Sequence, residues 1–173
     1  MIPKTIEDTV KAGKNFNLDR IKKVLPHREP FLLIDSVDEI IDEVAGEKKG
    51  RTIISTRKIT PDEFYFKGHF PGFPVMPGVL MVETMAQVGA FGLYDYNDHG
   101  PDYSVLFLGC DEVRFRKIVT PGMTIKIEVK VLNYRPSRSK FYGSIKDAQT
   151  GEICCEAYMI AASGTRKNDS SEA

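Results

Sequence analysis

Residues 67–94 read "KGHFPGFPVMPGVLMVETMAQVGAFGLY". Pro71, Pro74 and Pro77 crowd the start, and after Gly78 the run is apolar on every side, with one carboxylate, Glu83, inside it. Length argues against a membrane span: Pro77-Gly78 leaves about 15–18 residues of continuous helix, against roughly 20 for a bilayer. A mid-helix acid adds a cost of about 2.5–3.5 kcal/mol on insertion. The stretch therefore predicts a buried helix over about 79–96, and a helix apolar all round has to be covered all round.

The cover is legible on both sides of it. "NLDRIKKVLP" reads as a short helix with Asn17 as N-cap and Pro26 as its end. "FLLIDSVDEII" (31–41) and "GRTIISTRKI" (50–59) are rich in apolar and β-branched residues and read as a hairpin. Four further strands are predicted over 103–115, 124–135, 139–148 and 152–162, the second placing Ile125, Ile127, Val129 and Val131 on one face. The expected fold is α+β, an antiparallel sheet of about six strands wrapped around one long helix. The domain is expected over 17–163, with 1–16 a loose extension and 164–173 a solvated tail.

The chain has 173 residues, 42% hydrophobic and 28% charged, which suits one domain with a real core. Its 24 basic and 24 acidic side chains cancel, so no global field draws it to nucleic acid or anionic lipid. Cys110 stands alone, and Cys154 and Cys155 are adjacent, so neither a disulfide framework nor a CxxC metal site is spelled out. With no apolar signal-peptide core at the N-terminus, a reducing cytoplasm is the expected location.

A carboxylate in an apolar helix is costly when ionised, so Glu83 is expected to hold its proton near neutrality and to be able to donate it. His69, in the Gly/Pro loop, has the side chain whose ordinary pKa suits a general base. At the helix start, Gly78 and Val79 offer unpaired N–H groups that can polarise a carbonyl oxygen. Base, acid and oxyanion donors in one segment suit proton removal beside a carbonyl with loss of water. On residues alone a bland reading stays open: His69 as a packed loop histidine, Glu83 as a core acid bonded to backbone or arginine. Gln87, one turn on, falls on the same face as Glu83.

"GHFPGFPVMPGVLMVETMAQ" (68–87) resembles the signature of the (3R)-hydroxyacyl-acyl-carrier-protein dehydratases of fatty-acid synthesis. "LPHREPFLLIDSV" (25–37), "GCDEVRFRKIVTPG" (109–122) and "GEICCEAYMIAA" (151–162) are similar to three further motifs of that family, in order. The resemblance implies a hotdog fold, and dimers, often assembled three at a time, with each site at the dimer interface. It implies His69 as the base at C2, Glu83 as the acid that releases the C3 hydroxyl as water, and the Gly78 N–H as the donor to the thioester carbonyl. Glu83, where a double-bond-isomerising branch carries Asp, points to the dehydratase-only branch. Glu29, Phe73 and Met123 depart from the family pattern without removing any of these groups.

The partner implied is an acyl carrier protein bearing a phosphopantetheine-linked acyl chain. Because that partner is acidic in the family, Arg114, Arg116, Lys117, Arg135, Arg138 and Lys140 are candidate docking residues. Ordinary solvated strand ends are the alternative. No cofactor is implied, and His27, His69 and His99 stand in no metal-ligand spacing.

Overall fold

Alternation of apolar side chains builds one sheet, and the apolar helix fills its concave face. A computed structural model describes residues 10–94 and 103–165. The strands are β1 (Val10–Phe16), β2 (Val37–Asp42), β3 (Thr52–Lys58), β4 (Tyr103–Phe115), β5 (Thr124–Asn133), β6 (Ser139–Asp147) and β7 (Ile153–Thr165). They pair antiparallel throughout in the order β1-β2-β3-β5-β6-β7-β4. Helix α1 (Leu18–Val24) precedes β2, and α2 (Gly78–Ala90) lies between β3 and β4 in the chain. No helix among the described residues is long and apolar enough to cross a membrane.

Ile125, Ile127, Val129 and Val131 of β5 are all fully buried, as their spacing requires. Opposite them lie Met81, Met85, Val88 and Phe91, which join β5 in one apolar core. At about 25 cal/mol per Å² of apolar surface, this layer is the main stabilising term of the fold.

One strand more than expected is present, because Val10–Phe16 is not a loose extension. It pairs with β2 through backbone bonds, with a register shift between Lys11 and Gly13, so an edge strand forms without a strong side-chain pattern. Phe16 anchors its end edge-on against Phe91, ring centroids 5.7 Å apart. Residues 1–9 lie outside the described residues. At α1, the Asn17 side chain accepts from Arg20 N at 3.1 Å, as a cap should.

Two other boundaries moved. Residues 31–36, expected as strand, run irregularly to the start of β2 because the Gln87 side chain takes their backbone groups: Leu33 N–H donates to Oε1 and Phe31 O accepts from Nε2, both at 2.8 Å. Helix α2 stops at Ala90 rather than near 96. Gly92 N–H there turns back to Gly89 O at 2.9 Å, and a Cβ on Gly92 would stand 2.7 Å from Val131 Cγ2, so the chain tightens against the sheet where only glycine fits. The expected loop at 95–102 lies outside the described residues, as does the tail beyond 165. β7 itself continues to Thr165, where it pairs with Tyr103.

Candidate active site

Helix α2 carries Gly78 and Glu83, and the loop leading into it carries His69, but the three candidate groups face two different cavities. The first, about 480 Å³, is lined by His69, Pro77, Gly78, Val79, Phe115 and Lys117 among others. Here the His69 Nδ1 lies 2.7 Å from Val75 O, and Val75 N–H returns a 2.9 Å bond to His69 O. A carbonyl only accepts, so Nδ1 carries the proton and Nε2 keeps a lone pair, the arrangement a base needs. The ring is stacked on Phe70 at 4.0 Å between centroids.

Gly78 opens α2 directly behind Pro77, and the first intrahelical donors, Leu80 N and Met81 N, reach Pro77 O at 3.0 and 3.2 Å. The N–H groups of Gly78 and Val79 therefore precede the helix ladder. A Cβ on Gly78 would lie 2.8 Å from the Phe115 ring, so the close seat of that ring on the helix start depends on glycine. His69 and the helix-start donors are thus brought together as expected.

Glu83 is not with them. It lines the second cavity, about 260 Å³, with His27, Leu106, Phe107, Phe141 and Met159. Its Oε1 accepts from Gln87 Nε2 at 2.9 Å and lies 3.3 Å from His27 Nε2. The expectation of a carboxyl that readily keeps its proton is corrected here. Burial does push it up, but the hydrogen bonds from His27 and Gln87, with the attraction of His27, outweigh that and hold it below the ordinary carboxylate range. His27 was grouped in the sequence only with histidines far apart in the chain, so its pairing with Glu83 was missed. Its position straight after the proline that ends α1 was the available signal.

Nor is α2 covered all round. Val79 is 73% exposed, and Leu80, Glu83 and Ala86 are only partly covered, so one stripe of the helix stays open. Strand β4, which among the described residues pairs with β7 alone, shares a cavity with that stripe and carries Leu106 at 61% and Leu108 at 53% exposure. Open apolar stripes next to an unpaired strand edge are what a second chain covers.

The six basic candidates do not form one patch. Arg114 is opposite Glu156 on β7, whereas Lys140 is opposite Ile160 on β6–β7, toward the other end of the sheet. Arg116 is already bound to Glu156 at 2.8 Å, and Lys117 to Asp147 and Glu152 at 2.7 and 2.6 Å. Lys140 sits 4.9 Å from the Tyr158 ring centre. Arg114, Arg135 and Arg138 are exposed and close no salt bridge among the described residues, although the Arg114 charge helps to lower the Glu156 carboxyl opposite it. No group of three His, Cys, Asp or Glu suited to a metal occurs among the described residues, and His99 falls outside them.

Comparison with known proteins agrees with this architecture. Residues 25–157 match the family profile described as a FabA-like domain. The chain is 40% identical over 154 residues to the 3-hydroxyacyl-[acyl-carrier-protein] dehydratase FabZ of Desulforamulus reducens, covering 87% of this chain and 99% of that protein. It is also 40% identical over 158 residues to the bifunctional enzyme LpxC/FabZ of Chlorobaculum tepidum, covering 91% of this chain but only 32% of that longer protein. Among solved structures, the dehydratase heterocomplex ApeI:P from Xenorhabdus doucetiae superposes with a TM-score of 0.58 at 17% identity, over 86% of this chain and 91% of that one. A hot-dog-like protein from Thermanaerovibrio acidaminovorans superposes at 0.54 and 14% identity, over 68% and 83%. These two likenesses establish the hotdog fold, and the profile match with the near end-to-end relatives establishes that the chain belongs to the FabA-like family, on its FabZ-type dehydratase side.

Proposed function

We propose that this chain is a hydro-lyase that converts (3R)-3-hydroxyacyl-acyl-carrier-protein to trans-2-enoyl-acyl-carrier-protein in fatty acid biosynthesis. His69 Nε2 takes the proton from C2, and the C2–H electron pair is drawn onto the thioester oxygen as an enolate. That pair returns to form the C2=C3 bond as the C3–O bond breaks, and the departing oxygen keeps the C3–O pair, takes a proton from Glu83 and leaves as water. The Gly78 N–H donates to the thioester oxygen as charge builds there. The apolar walls of the Glu83 cavity suit the acyl chain.

One observation carries this reading: the two cavities sit at opposite ends of β4. Phe115 to Ile118 border the cavity of His69, and Val105 to Phe107 border that of Glu83. A second copy pairing antiparallel through the β4 edge sets the His69 end of one protomer against the Glu83 end of the other. Two complete sites result, each holding one base and one acid. We place the working unit as such a dimer, open to further assembly into a trimer of dimers. The free cysteines suit a reducing cytoplasm.

Arg114 is the docking residue best placed for the acidic carrier, since its neighbours Phe115 and Arg116 line the His69 cavity. The deciding experiment incubates the chain with a 3-hydroxyacyl thioester on carrier protein and follows enoyl product and free thiol together. Enoyl formation without thiol release is expected. Thiol release marks a thioesterase, and neither product marks an acyl-binding module. A 3-enoyl product would refute the assignment to the dehydratase-only branch.

A further inference from the structure

The cavity around Glu83 contains a polar device that the dehydration scheme above leaves unused. Gln87 is locked: its Oε1 accepts from Leu33 N at 2.8 Å, so its amide N–H groups must face Phe31 O and Glu83 Oε1. His27 approaches the same Oε1 from the loop after α1, at 3.3 Å through Nε2. That loop is itself pinned, since the Arg28 guanidinium donates to Leu25 O at 3.0 Å, to His27 O at 2.7 Å and to Lys22 O at 3.2 Å. The other ring nitrogen, His27 Nδ1, is buried with no hydrogen-bond partner among the described residues. Leaving it so costs free energy, and the ring holds that position while Nε2 faces the carboxylate.

We propose that His27 is a positioning residue for the acid: with Gln87 it occupies Oε1 of Glu83 and leaves Oε2 as the oxygen that carries a proton to substrate. Two donors converge on Oε1, so that oxygen must accept, and a proton on the carboxyl belongs on Oε2. No hydrogen bond from a described residue reaches Oε2. The titratable groups lining this cavity are Glu83, His27 and Tyr94, whereas β4, β6 and β7 present Val105, Leu106, Phe107, Phe141 and Met159 to it. His27 is thus the ionisable group in contact with the acid. The direction of the Glu83 shift agrees, since burial alone would raise it and the bonds from His27 and Gln87, with the attraction of His27, together hold it down.

The inference rests on the proposed role of Glu83 as proton donor, and its test separates the two. His27→Leu removes the donor, and His27→Gln keeps an N–H near the place of Nε2 but cannot titrate. His27→Leu is expected to lower kcat about 10–100-fold with little change in KM, the loss of one hydrogen bond to a charged group. His27→Gln should recover most of that loss. Carbon-13 NMR of the labelled Glu83 carboxyl should show its titration midpoint moving up in His27→Leu, because Gln87 alone is then left to oppose burial. In the unmodified chain, the His27 Nε2 resonance should move with that same titration, a measurement that needs no variant to fold. Unchanged kcat in both variants overturns the proposal. So does an equal loss in both with the Glu83 titration unmoved, or a His27 resonance indifferent to Glu83. If the unmodified chain forms no enoyl product, the donor role of Glu83 fails, while the two titrations still decide whether His27 governs the carboxyl.

Discussion

Glu83→Gln separates the chemistry of the acid from its packing. The amide keeps the volume and one acceptor oxygen for Gln87 and His27, but it has no proton to release. In the folded protomer burial pushes the carboxyl up, and the bonds from His27 and Gln87 bring it below its ordinary 4.5. A carboxyl with a depressed folded pKa contributes stability above its unfolded pKa, and that contribution is lost as pH falls through the folded value. At neutral pH the substitution turns two hydrogen bonds to a charged acceptor into two to a neutral one, costing about 1 kcal/mol. For a chain of this size that is a fall in Tm of about 2–4 °C, and it should vanish in acid, where wild-type Glu83 is protonated too. Loss of the general acid should lower kcat by about 10²–10⁴. The paired assay is a melting curve at neutral and acid pH beside single-substrate kinetics. Near-full dehydration by the variant would falsify the donor role, and a Tm that rises at neutral pH would refute the carboxylate's stabilising contacts.

His69→Ala should keep the fold, since the ring lies in a partly exposed loop, and lower the rate by about 10²–10⁴ as a lost base does; near-normal turnover with an unchanged melting curve removes His69 from the scheme. Arg114→Glu should raise KM for carrier-linked substrate but not for a small thioester, in a salt-dependent way. Arg138→Glu, at the other end of the sheet, should do neither, and equal effects of the two would sink the docking assignment. Asp147, held at about 2 by the Lys117 ammonium, contributes stability above about pH 4 that disappears as pH falls toward 2; Asp147→Asn should flatten that part of an acid-unfolding curve. Leu106→Lys puts a charge on the open β4 edge and should shift the chain to monomer in sedimentation, with activity falling in parallel; an active monomer would refute the shared site.

Local signals in the sequence carried far. Asn17 and Pro26 bound α1, and strict alternation from Ile125 to Val131 located β5, because caps and period-two burial are properties of neighbouring residues. The GHFPG loop and the start of α2 were legible for the same reason, and His69 and Gly78 do line one cavity. What failed depended on residues far apart. Gln87 reaches back more than fifty positions to Phe31 and Leu33 and so displaces the start of β2. His27 reaches forward to Glu83 and, with Gln87, holds its carboxyl below the ordinary range. Val10–Phe16 forms a strand through backbone pairing with β2, which its side chains do not announce. The basic residues were grouped by number, whereas strand register sends them to opposite ends of the sheet.

The open stripe of α2 and the low-lying Glu83 carboxyl have a common physical origin in the proposed assembly. A lone protomer leaves the Glu83 side chain 23% exposed, and solvent helps His27 and Gln87 hold it as a carboxylate. A second copy on the β4 edge, with substrate in the cavity, removes that water. Desolvation then grows while the two hydrogen bonds stay fixed by Arg28 and by the Leu33 and Phe31 backbone, and the balance moves toward the protonated acid. An acid that gains its proton only where base, substrate and partner protomer meet does not need to carry a buried neutral carboxyl through folding. The contacts that lower Glu83 in the protomer also aim its free oxygen, so they cost little acidity once the site is dry and keep the geometry that elimination requires.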